Sequence, residues 1–421
     1  MSFLLFLQGL TIRNRTLKAR KMTPSIRTPP HMFTLVILTG LSLVSLNMFI
    51  PSLAHMAGDF AVDYSYMSLA VAGYLAMTAV LQIILGPLSD RFGRRPVLLT
   101  GAAIFTVASI GCWLAQDFWL FLTFRLMQGA IITGSALSRA VVRDMLEPRE
   151  AASMMGYISS AMAVAPMLGP MFGGVLDEWF GWRSNFAAFA VFGTGIFVLC
   201  WFDLGETNQA KSETFRKQFS TYPELVRSRR FWGYSACSAF SIGSFYAFLA
   251  GAPLVAVTVL GLEPVMVGFS VGLITSGFFI GTFISGRVAS RYPLTTMMLA
   301  GRFVACAGPV IGLTLFALGY LNIYTFFGSV IFVGMGNGLT VPSAGVGALS
   351  VRPQLAGSAS GLSGALTVAG GAVVSSISGA IVSGQWAAYI LLGLMLASAF
   401  LGLLSAIYVR TIDRFEGPAT A

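Results

Sequence analysis

Charged side chains are scarce in this chain of 421 residues: Asp, Glu, Lys and Arg together make up 10% of it, whereas an average soluble protein has roughly 25%. Hydrophobic residues make up 56% of the chain, so too few polar side chains remain to cover a water-soluble body of this size. The shortage of charge therefore excludes a globular cytosolic enzyme.

Metal-ligating and disulfide-forming residues are also few, with 2 histidines and 4 cysteines. The cysteines lie far apart inside apolar runs, which indicates neither a CxxC ligand pair nor a disulfide framework. We therefore expect buried thiols that only pack, no metal site and no cofactor. The four positions are Cys112, Cys200, Cys237 and Cys306.

Long apolar runs dominate what is present. A membrane-spanning helix needs about 20 mostly apolar residues, and 12 such runs occur, separated by Gly, Pro and charge. Alternating segments of about ten residues, typical of barrel strands, are missing. We predict an all-α integral membrane protein with 12 transmembrane helices. The spans are Phe33 to Ala57, Tyr66 to Pro87, Pro96 to Ala115, Trp119 to Ala140, Ala152 to Val175, Asn185 to Phe202, Phe231 to Val257, Val265 to Gly286, Leu294 to Leu318, Ile323 to Gly347, Gly357 to Val382 and Ala387 to Val409.

The orientation follows from the basic residues. Of the 26 lysines and arginines, 23 fall in segments on one side, and the positive-inside rule makes that side the cytoplasm. The exceptions are Arg125, Arg183 and Arg302. We therefore expect a protein of the cytoplasmic (cell inner) membrane with both termini inside. The net charge of +10 reflects this topology and indicates no nucleic-acid partner.

The first residues do not read as a secretory signal, because the apolar residues 3 to 10 precede the basic stretch. Two interpretations stay open. Either the apolar residues form a short membrane-surface anchor, or translation starts at Met22 instead of Met1.

A duplication is indicated by the only long polar interruption, which follows the sixth span. GPLSDRF begins at Gly86 after the second span and GRVASRY begins at Gly286 after the eighth, 200 residues later. Parallel halves of this kind are a known plan of membrane transporters. We predict a cytoplasmic N-terminal segment at 1–32, six-helix bundles at 33–203 and 231–409, a cytoplasmic linker at 204–230 and a cytoplasmic tail at 410–421.

The loop after the second span reads GPLSDRFGRRPVLL from Gly86 to Leu99. It resembles the signature loop of the major facilitator superfamily, which implies the major facilitator fold of two six-helix pseudo-repeat bundles. Glycine permits tight turns and close helix ends, and Asp can pair with guanidinium groups. A gating loop that latches the two bundles is therefore expected; a merely basic loop is the alternative. Its candidate residues are Gly86, Asp90, Arg91, Gly93, Arg94 and Arg95.

Two further motifs lie inside the membrane. RLMQG puts Arg125 in the fourth span, where its burial cost requires a cavity or a partner; a packing role is the alternative to a functional one. The fifth span carries APMLGPMFGG, which resembles the superfamily's antiporter motif with Ala165 in place of a glycine. Generic small-residue packing is the alternative there. The motif residues are Gly156, Gly169, Pro170, Gly173 and Gly174.

Other stretches narrow the resemblance to the Bcr/CflA drug-resistance family, the bicyclomycin and chloramphenicol type of exporter. They are Tyr74 and Gln82, RAVVRD from Arg139, LGET from Leu204, FLAGAP from Phe248 and AGSASGLSGAL from Ala356. The family commonly has an acidic residue in a D-M-Y-L-P stretch of the first span, a natural proton carrier. This chain reads NMFIP, and Asn47 cannot titrate.

The resemblance implies a drug efflux transporter that works by alternating access, with proton antiport. We expect a monomer in the lipid bilayer, a small apolar or amphipathic substrate, protons as a second partner and a central site. The expected contributors to that site are Asn47, Tyr74, Gln82, Arg125, Tyr246 and Asn337. Arg302 in the ninth span is a weaker candidate, within reach of the cytoplasmic interface.

Two alternatives stay open. The missing carboxylate favours an uncoupled or inward facilitator of a small metabolite. A non-transporting membrane receptor or a membrane-embedded enzyme is more remote, because no nucleophile with a base and no phosphate loop is visible in the sequence.

Overall fold

The computed structural model describes residues 31–145, 166, 168–208, 222–288, 291–352 and 356–416. This part of the chain is helical and contains no strand. Within it, 11 helices are long and apolar enough to cross a membrane, and they match eleven of the predicted spans. The remaining one, the fifth, lies mostly outside the described residues, and its end continues as a helix over 168–180.

Several spans consist of more than one helical piece. Pro51 lies in a 3-10 turn, Ile50–Ser52, that interrupts the first span, because proline has no N–H to continue the α-helical ladder. The fourth span changes to 3-10 geometry over Gln128–Ile131. The α-helices are Met32–Asn47, Leu53–Asp59, Tyr64–Met67, Leu69–Phe92, Arg94–Leu114, Phe118–Met127, Ile132–Met145, Arg183–Asp203, Tyr222–Val226, Arg229–Thr258, Pro264–Val288, Leu294–Ala317, Ile323–Ser350, Ala356–Ile381 and Ala387–Glu416.

Polar side chains define where two spans begin. Asp117 accepts a hydrogen bond from the Leu120 N–H at 2.9 Å at the start of the fourth span. Asn322 accepts from the N–H groups of Tyr324 and Thr325 at the start of the tenth. Such caps satisfy N–H groups that have no partner inside the helix.

The packing of the spans repeats between the two halves. The third span packs against the sixth, as the ninth packs against the twelfth. In the second half, the tenth span also packs against the eighth and ninth, and the seventh packs against the eleventh and twelfth. The equivalent partners in the two halves are those expected of a duplicated six-helix unit.

The two halves meet along two pairs of spans. The second span packs against the eleventh, and the described end of the fifth lies against the eighth, where Pro170 contacts Gly268. We call the side predicted to face away from the cytoplasm the outer side. On that side Tyr64 donates a hydrogen bond of 2.6 Å to the carbonyl of Ala250, and Ser68 packs against Gly379. The halves are therefore in contact at their outer ends.

Candidate substrate and coupling site

Arg125 is the centre of a polar cluster in the N-terminal half and has no exposed surface. Its Nε donates to the carbonyl of Ala70 at 3.2 Å and its Nη2 donates to that of Ser45 at 3.0 Å. Its Nη1 donates to Oε1 of Gln128 at 2.7 Å, and the Gln128 amide in turn donates to Ser109. One guanidinium thus connects the first, second, third and fourth spans.

Two aromatic rings cover the Arg125 guanidinium. Its central carbon lies 4.2 Å from the ring centre of Phe49 and 4.2 Å from that of Tyr74. Tyr74 is further held by a hydrogen bond of 3.3 Å between its hydroxyl and that of Ser45. The ring faces and the carbonyl oxygens stabilise the positive charge, and none of the described carboxylates forms an ion pair with it.

Asn47, the amide of the NMFIP stretch, lies where the first span meets the fifth. Its Nδ2 donates to the carbonyl of Leu43 at 2.7 Å, and its buried Oδ1 has no hydrogen-bond partner. A Cβ atom added to Gly169 would lie 3.6 Å from the Met48 nitrogen, and one added to Gly173 would lie 2.6 Å from the Met48 carbonyl carbon. We call this contact, formed by Asn47, Met48, Gly169 and Gly173, the span 1–span 5 seam.

The other members of the predicted antiporter motif have different surroundings. Pro170 contacts Gly268 of the eighth span, so it lies at the boundary between the halves. Gly174 is buried, and Gly156 lies outside the described residues. Of the motif residues, Gly173 makes an approach to Met48 that leaves no room for a Cβ, as small residues do between closely packed membrane helices.

Gln82 and Tyr246 lie near the boundary between the two halves. A Cβ added to Gly364 of the eleventh span would lie 3.0 Å from Oε1 of Gln82. The Tyr246 ring packs on Gly371 of the same span. The structure therefore brings Tyr74 together with Arg125, while Gln82 and Tyr246 contact two different parts of the eleventh span.

Asn337 belongs to a second polar cluster, around Arg302 in the C-terminal half. Arg302 has no exposed surface; its Nη2 donates to Oδ1 of Asn337 at 2.6 Å and its Nε donates to Thr340 at 3.0 Å. Nη1 of Arg302 and Nδ2 of Asn337 are buried without a hydrogen-bond partner. Arg302 is therefore enclosed by its own bundle, and its guanidinium does not extend to the cytoplasmic surface of the membrane.

The predicted gating loop is held by Glu206, a residue with no predicted role of its own. This residue, after the sixth span, accepts hydrogen bonds from the backbone N–H of Arg94 at 2.9 Å and of Arg95 at 3.3 Å. Gly93 has a positive φ of 104°, and a Cβ there would lie 2.7 Å from Cδ of Glu206. Glycine is thus required at position 93 both by the turn and by the carboxylate.

The arginines of the loop have separate partners. Arg95 donates to the carbonyl of Trp201 at 2.9 Å and lies over that indole ring. Arg94 is buried and hydrogen-bonds to Ser89, whereas Arg91 is exposed and lies over Phe92. Gly86 and Asp90 lie in the last turns of the second-span helix, Leu69–Phe92. The surroundings of these two residues are outside the described part of the structure.

We expect Glu206→Ala to lower the stability of the protein by about 1 to 2 kcal/mol, the usual loss when a helix cap is removed, because two N–H groups lose their acceptor. The thermal-unfolding midpoint in detergent measures this. The control is Glu224→Ala, which removes an exposed ion pair with Arg352 at 2.9 Å and should cost no more than about 1 kcal/mol. Equal midpoints for the two variants would contradict the capping role of Glu206.

Comparisons with known proteins agree with this architecture. A family model described as Major Facilitator Superfamily matches residues 35–373. The chain is 29% identical over 350 residues to a chloramphenicol resistance protein of Pseudomonas aeruginosa, covering 82% of this chain and 81% of that one. It is 27% identical over 369 residues to multidrug resistance protein D of Escherichia coli (strain K12), covering 86% and 92%. The crystal structure of a D-xylose-proton symporter superimposes with a TM-score of 0.72 at 16% sequence identity, covering 90% and 96%.

Proposed function

The chain belongs to the Major Facilitator Superfamily, and from that premise we propose that it exports small apolar or amphipathic drug-like compounds by alternating access. It is a multi-pass membrane transporter of small molecules and not an enzyme. The similarity to a chloramphenicol resistance protein and to a multidrug resistance protein, each over more than four fifths of the chain, supports drugs as the substrates.

Paired contact between the halves is the observation that carries alternating access. The second span packs against the eleventh, and the fifth packs against the eighth. Each of these two contacts joins one helix of the N-terminal half to one helix of the C-terminal half. The described inter-half hydrogen bonds, from Tyr64 to Ala250 and from Thr275 to the carbonyl of Pro166 at 3.4 Å, are few. Two internally bonded bundles joined by few polar contacts can rock against each other.

The central site that we propose combines the Arg125 cluster with the boundary residues. Tyr74 covers Arg125 in one half, and Tyr246 packs on the eleventh span of the other. Substrate held there would contact both halves, and it would favour whichever conformation it binds more tightly. Asn47, Gln82 and Asn337 are proposed as contributors from the first, second and tenth spans.

Proton antiport is the proposed coupling, supported by the resemblance of the fifth-span motif. Asn47 favours the second candidate, an uncoupled facilitator, because an amide cannot carry a proton. Proteoliposomes with an imposed pH gradient distinguish the two. Accumulation of substrate driven by the gradient supports antiport, and equilibration without accumulation supports the facilitator.

The proposed orientation has both termini and the 204–230 linker in the cytoplasm, with the protein acting as a monomer. Arg227, Arg229 and other basic residues of the linker region support this by the positive-inside rule. A cysteine introduced into the linker should react with a membrane-impermeant reagent only in inside-out vesicles.

Drug export is tested in a host that lacks its own efflux pumps. Expression of the chain should lower the steady-state accumulation of a phenicol or of a fluorescent amphipathic cation. Unchanged accumulation across a broad panel, with the protein present in the membrane, would remove the proposal.

We expect Tyr64→Phe to favour the outward-open conformation, because the change deletes the hydrogen bond to Ala250. A hydrogen bond contributes about 1 kcal/mol, which is roughly a fivefold change in the ratio of open to closed protein. The labelling rate of Ser68→Cys, a buried position against Gly379, measures opening. Tyr66→Phe, at an exposed tyrosine, is the control and should leave that rate unchanged.

A further inference from the structure

The outer end of the span 1–span 5 seam contains the two titratable side chains His55 and Asp177. Asp177 follows Gly173 by four residues and Gly169 by eight, so all three occupy one face of the fifth-span helix. The seam therefore has an amide at Asn47 and a carboxylate, Asp177, further towards the outer side.

Asp177 differs from the other acidic side chains that the structure describes, because it alone is buried, with 4% of its surface exposed. Its Oδ2 lies 3.3 Å from Nδ1 of His55 and has no hydrogen bond within the protein. The His55 side chain is 53% exposed. His55 lies four residues before Asp59, whose exposed carboxylate pairs with Arg183 at the outer end of the span, and this position puts the imidazole next to the outer solution as well as to the buried carboxylate.

Ser52 connects this pair to the seam. Its side chain approaches the Asp177 carboxylate, and its oxygen accepts a hydrogen bond of 3.2 Å from Nδ2 of Asn185 in the sixth span. The same Asn185 amide donates to the carbonyl of Gly173 at 3.3 Å. A change of charge at Asp177 therefore acts directly on the packing of the first, fifth and sixth spans.

The charged groups around the pair are either paired with another residue or exposed, so His55 is the side chain whose charge can balance that of Asp177. Asp59 of the first span is compensated by Arg183 of the sixth at 3.5 Å and accepts a hydrogen bond from Trp182. Glu178, next to Asp177, is exposed. The seventh and eighth spans also approach this end of the first span, and their outer portions have no charged side chain, the nearest being the exposed Glu263 before the eighth.

We propose that His55 and Asp177 form a proton-binding site that senses the pH of the outer solution and, through the span 1–span 5 seam, controls separation of the two halves on that side. The inference rests on the proposed alternating-access transport. When His55 is protonated, the imidazolium pairs with the Asp177 carboxylate and the halves stay in contact at their outer ends. When His55 is neutral, the buried carboxylate has no counter-charge, and hydration by opening becomes favourable. Among side chains, histidine is the one that ordinarily changes charge between about pH 5 and pH 8.

This site is distinct from a coupling site that carries protons across the membrane. His55 is already half exposed while the halves are in contact at their outer ends, so the site exchanges protons with the outer solution in the closed state. It therefore regulates opening and does not need to release its proton on the cytoplasmic side.

The test measures opening without substrate and without a pH gradient. A cysteine introduced by Ser68→Cys is labelled with a maleimide in reconstituted protein, and its rate is divided by that of the exposed control Ser65→Cys, which cancels the intrinsic pH dependence of the reagent. Labelling of the unaltered chain gives the background of its native cysteines. We expect the ratio to rise about tenfold from about pH 5.5 to about pH 8, the interval over which histidine loses its charge.

His55→Gln and Asp177→Asn should each make that ratio independent of pH to within about twofold, since either change removes the titrating pair. His31→Gln is the matched control, because His31 is the other histidine of the chain and pairs with Asp203 at the opposite end of the first span. It should retain the full response. If Asp177→Asn fails to fold, His55→Gln decides alone.

An unchanged pH response in His55→Gln would overturn the proposal, as would a pH-independent ratio in the unaltered protein. Both outcomes are separate from a failure of drug export, because the labelling requires neither a drug nor an energised membrane. A protein that exports nothing in cells can still show the response, and an active exporter can lack it.

Discussion

Arg125→Met should abolish export and lower the thermal stability of the protein more than Glu206→Ala or Gly173→Ala does. The substitution removes the donor of three hydrogen bonds, to Ser45, Ala70 and Gln128. Hydrogen bonds that involve a charged group contribute about 1.5 to 3 kcal/mol each. The carbonyl groups of Ser45 and Ala70 would lose the Arg125 donor, and the rings of Phe49 and Tyr74 would lose the cation between them.

Arg125→Lys separates the charge from the geometry. A lysine retains the positive charge but cannot reach three diverging acceptors while stacking between two rings, so we expect export to fall by at least tenfold. Efflux of a fluorescent cation from preloaded cells, normalised to the amount of protein in the membrane, measures this. Arg227→Met, at an exposed arginine, should retain full activity. Export at the unaltered rate by Arg125→Lys would show that charge alone suffices.

Gly173→Ala has the second largest expected effect. The added Cβ would lie 2.6 Å from the carbonyl carbon of Met48, a contact with backbone that no rotation of a side chain can relieve. The first and fifth spans would have to separate, and overpacking of this kind typically costs about 1 to 3 kcal/mol. Because Gly173 also contacts Asn185, the displacement extends to the sixth span. We expect export to fall below a tenth of its normal rate, because a free-energy change of about 1.4 kcal/mol already alters the equilibrium constant between two conformations about tenfold.

The matched control is Gly195→Ala in the sixth span. A Cβ at Gly195 meets no atom within 4 Å, so the substitution has the same chemistry without the clash. It should leave export and thermal stability unchanged. Equal activity of the two variants would contradict the close contact between the first and fifth spans.

Hydropathy was sufficient to predict most of the fold, since it depends on local composition. The eleven described spans agree with the predicted runs to within a few residues at most ends, and the largest differences occur where a charged residue extends the helix. The second span, predicted to end at Pro87, continues to Phe92, and the fourth, predicted to end at Ala140, continues to Met145. The twelfth, predicted to end at Val409, continues to Glu416. Apolarity defines the part inside the lipid, whereas the helix continues for as long as its backbone bonds are satisfied.

The site was less predictable, because its contacts join residues that are distant in the chain. Nothing in the sequence separates Phe49 from the other 33 phenylalanines, although it lies on Arg125. The sequence predicts that Arg302 lies within reach of the cytoplasmic surface of the membrane. In the structure its partner is Asn337, which is 35 residues away in the chain and on another span. Glu206 was recognised only as part of LGET, and its contact with the backbone of Arg94 depends on the third and sixth spans lying side by side.

The position of Glu206 in the chain also determines when the N-terminal bundle can be completed during synthesis. The carboxylate that caps the third span is separated by 112 residues from the Arg94 N–H that it accepts. During synthesis the third span therefore enters the bilayer with its first N–H groups uncapped, and only the emergence of the sixth provides their acceptor. The N-terminal bundle cannot reach its final form until the ribosome has passed residue 206, which lies near the start of the linker to the second bundle.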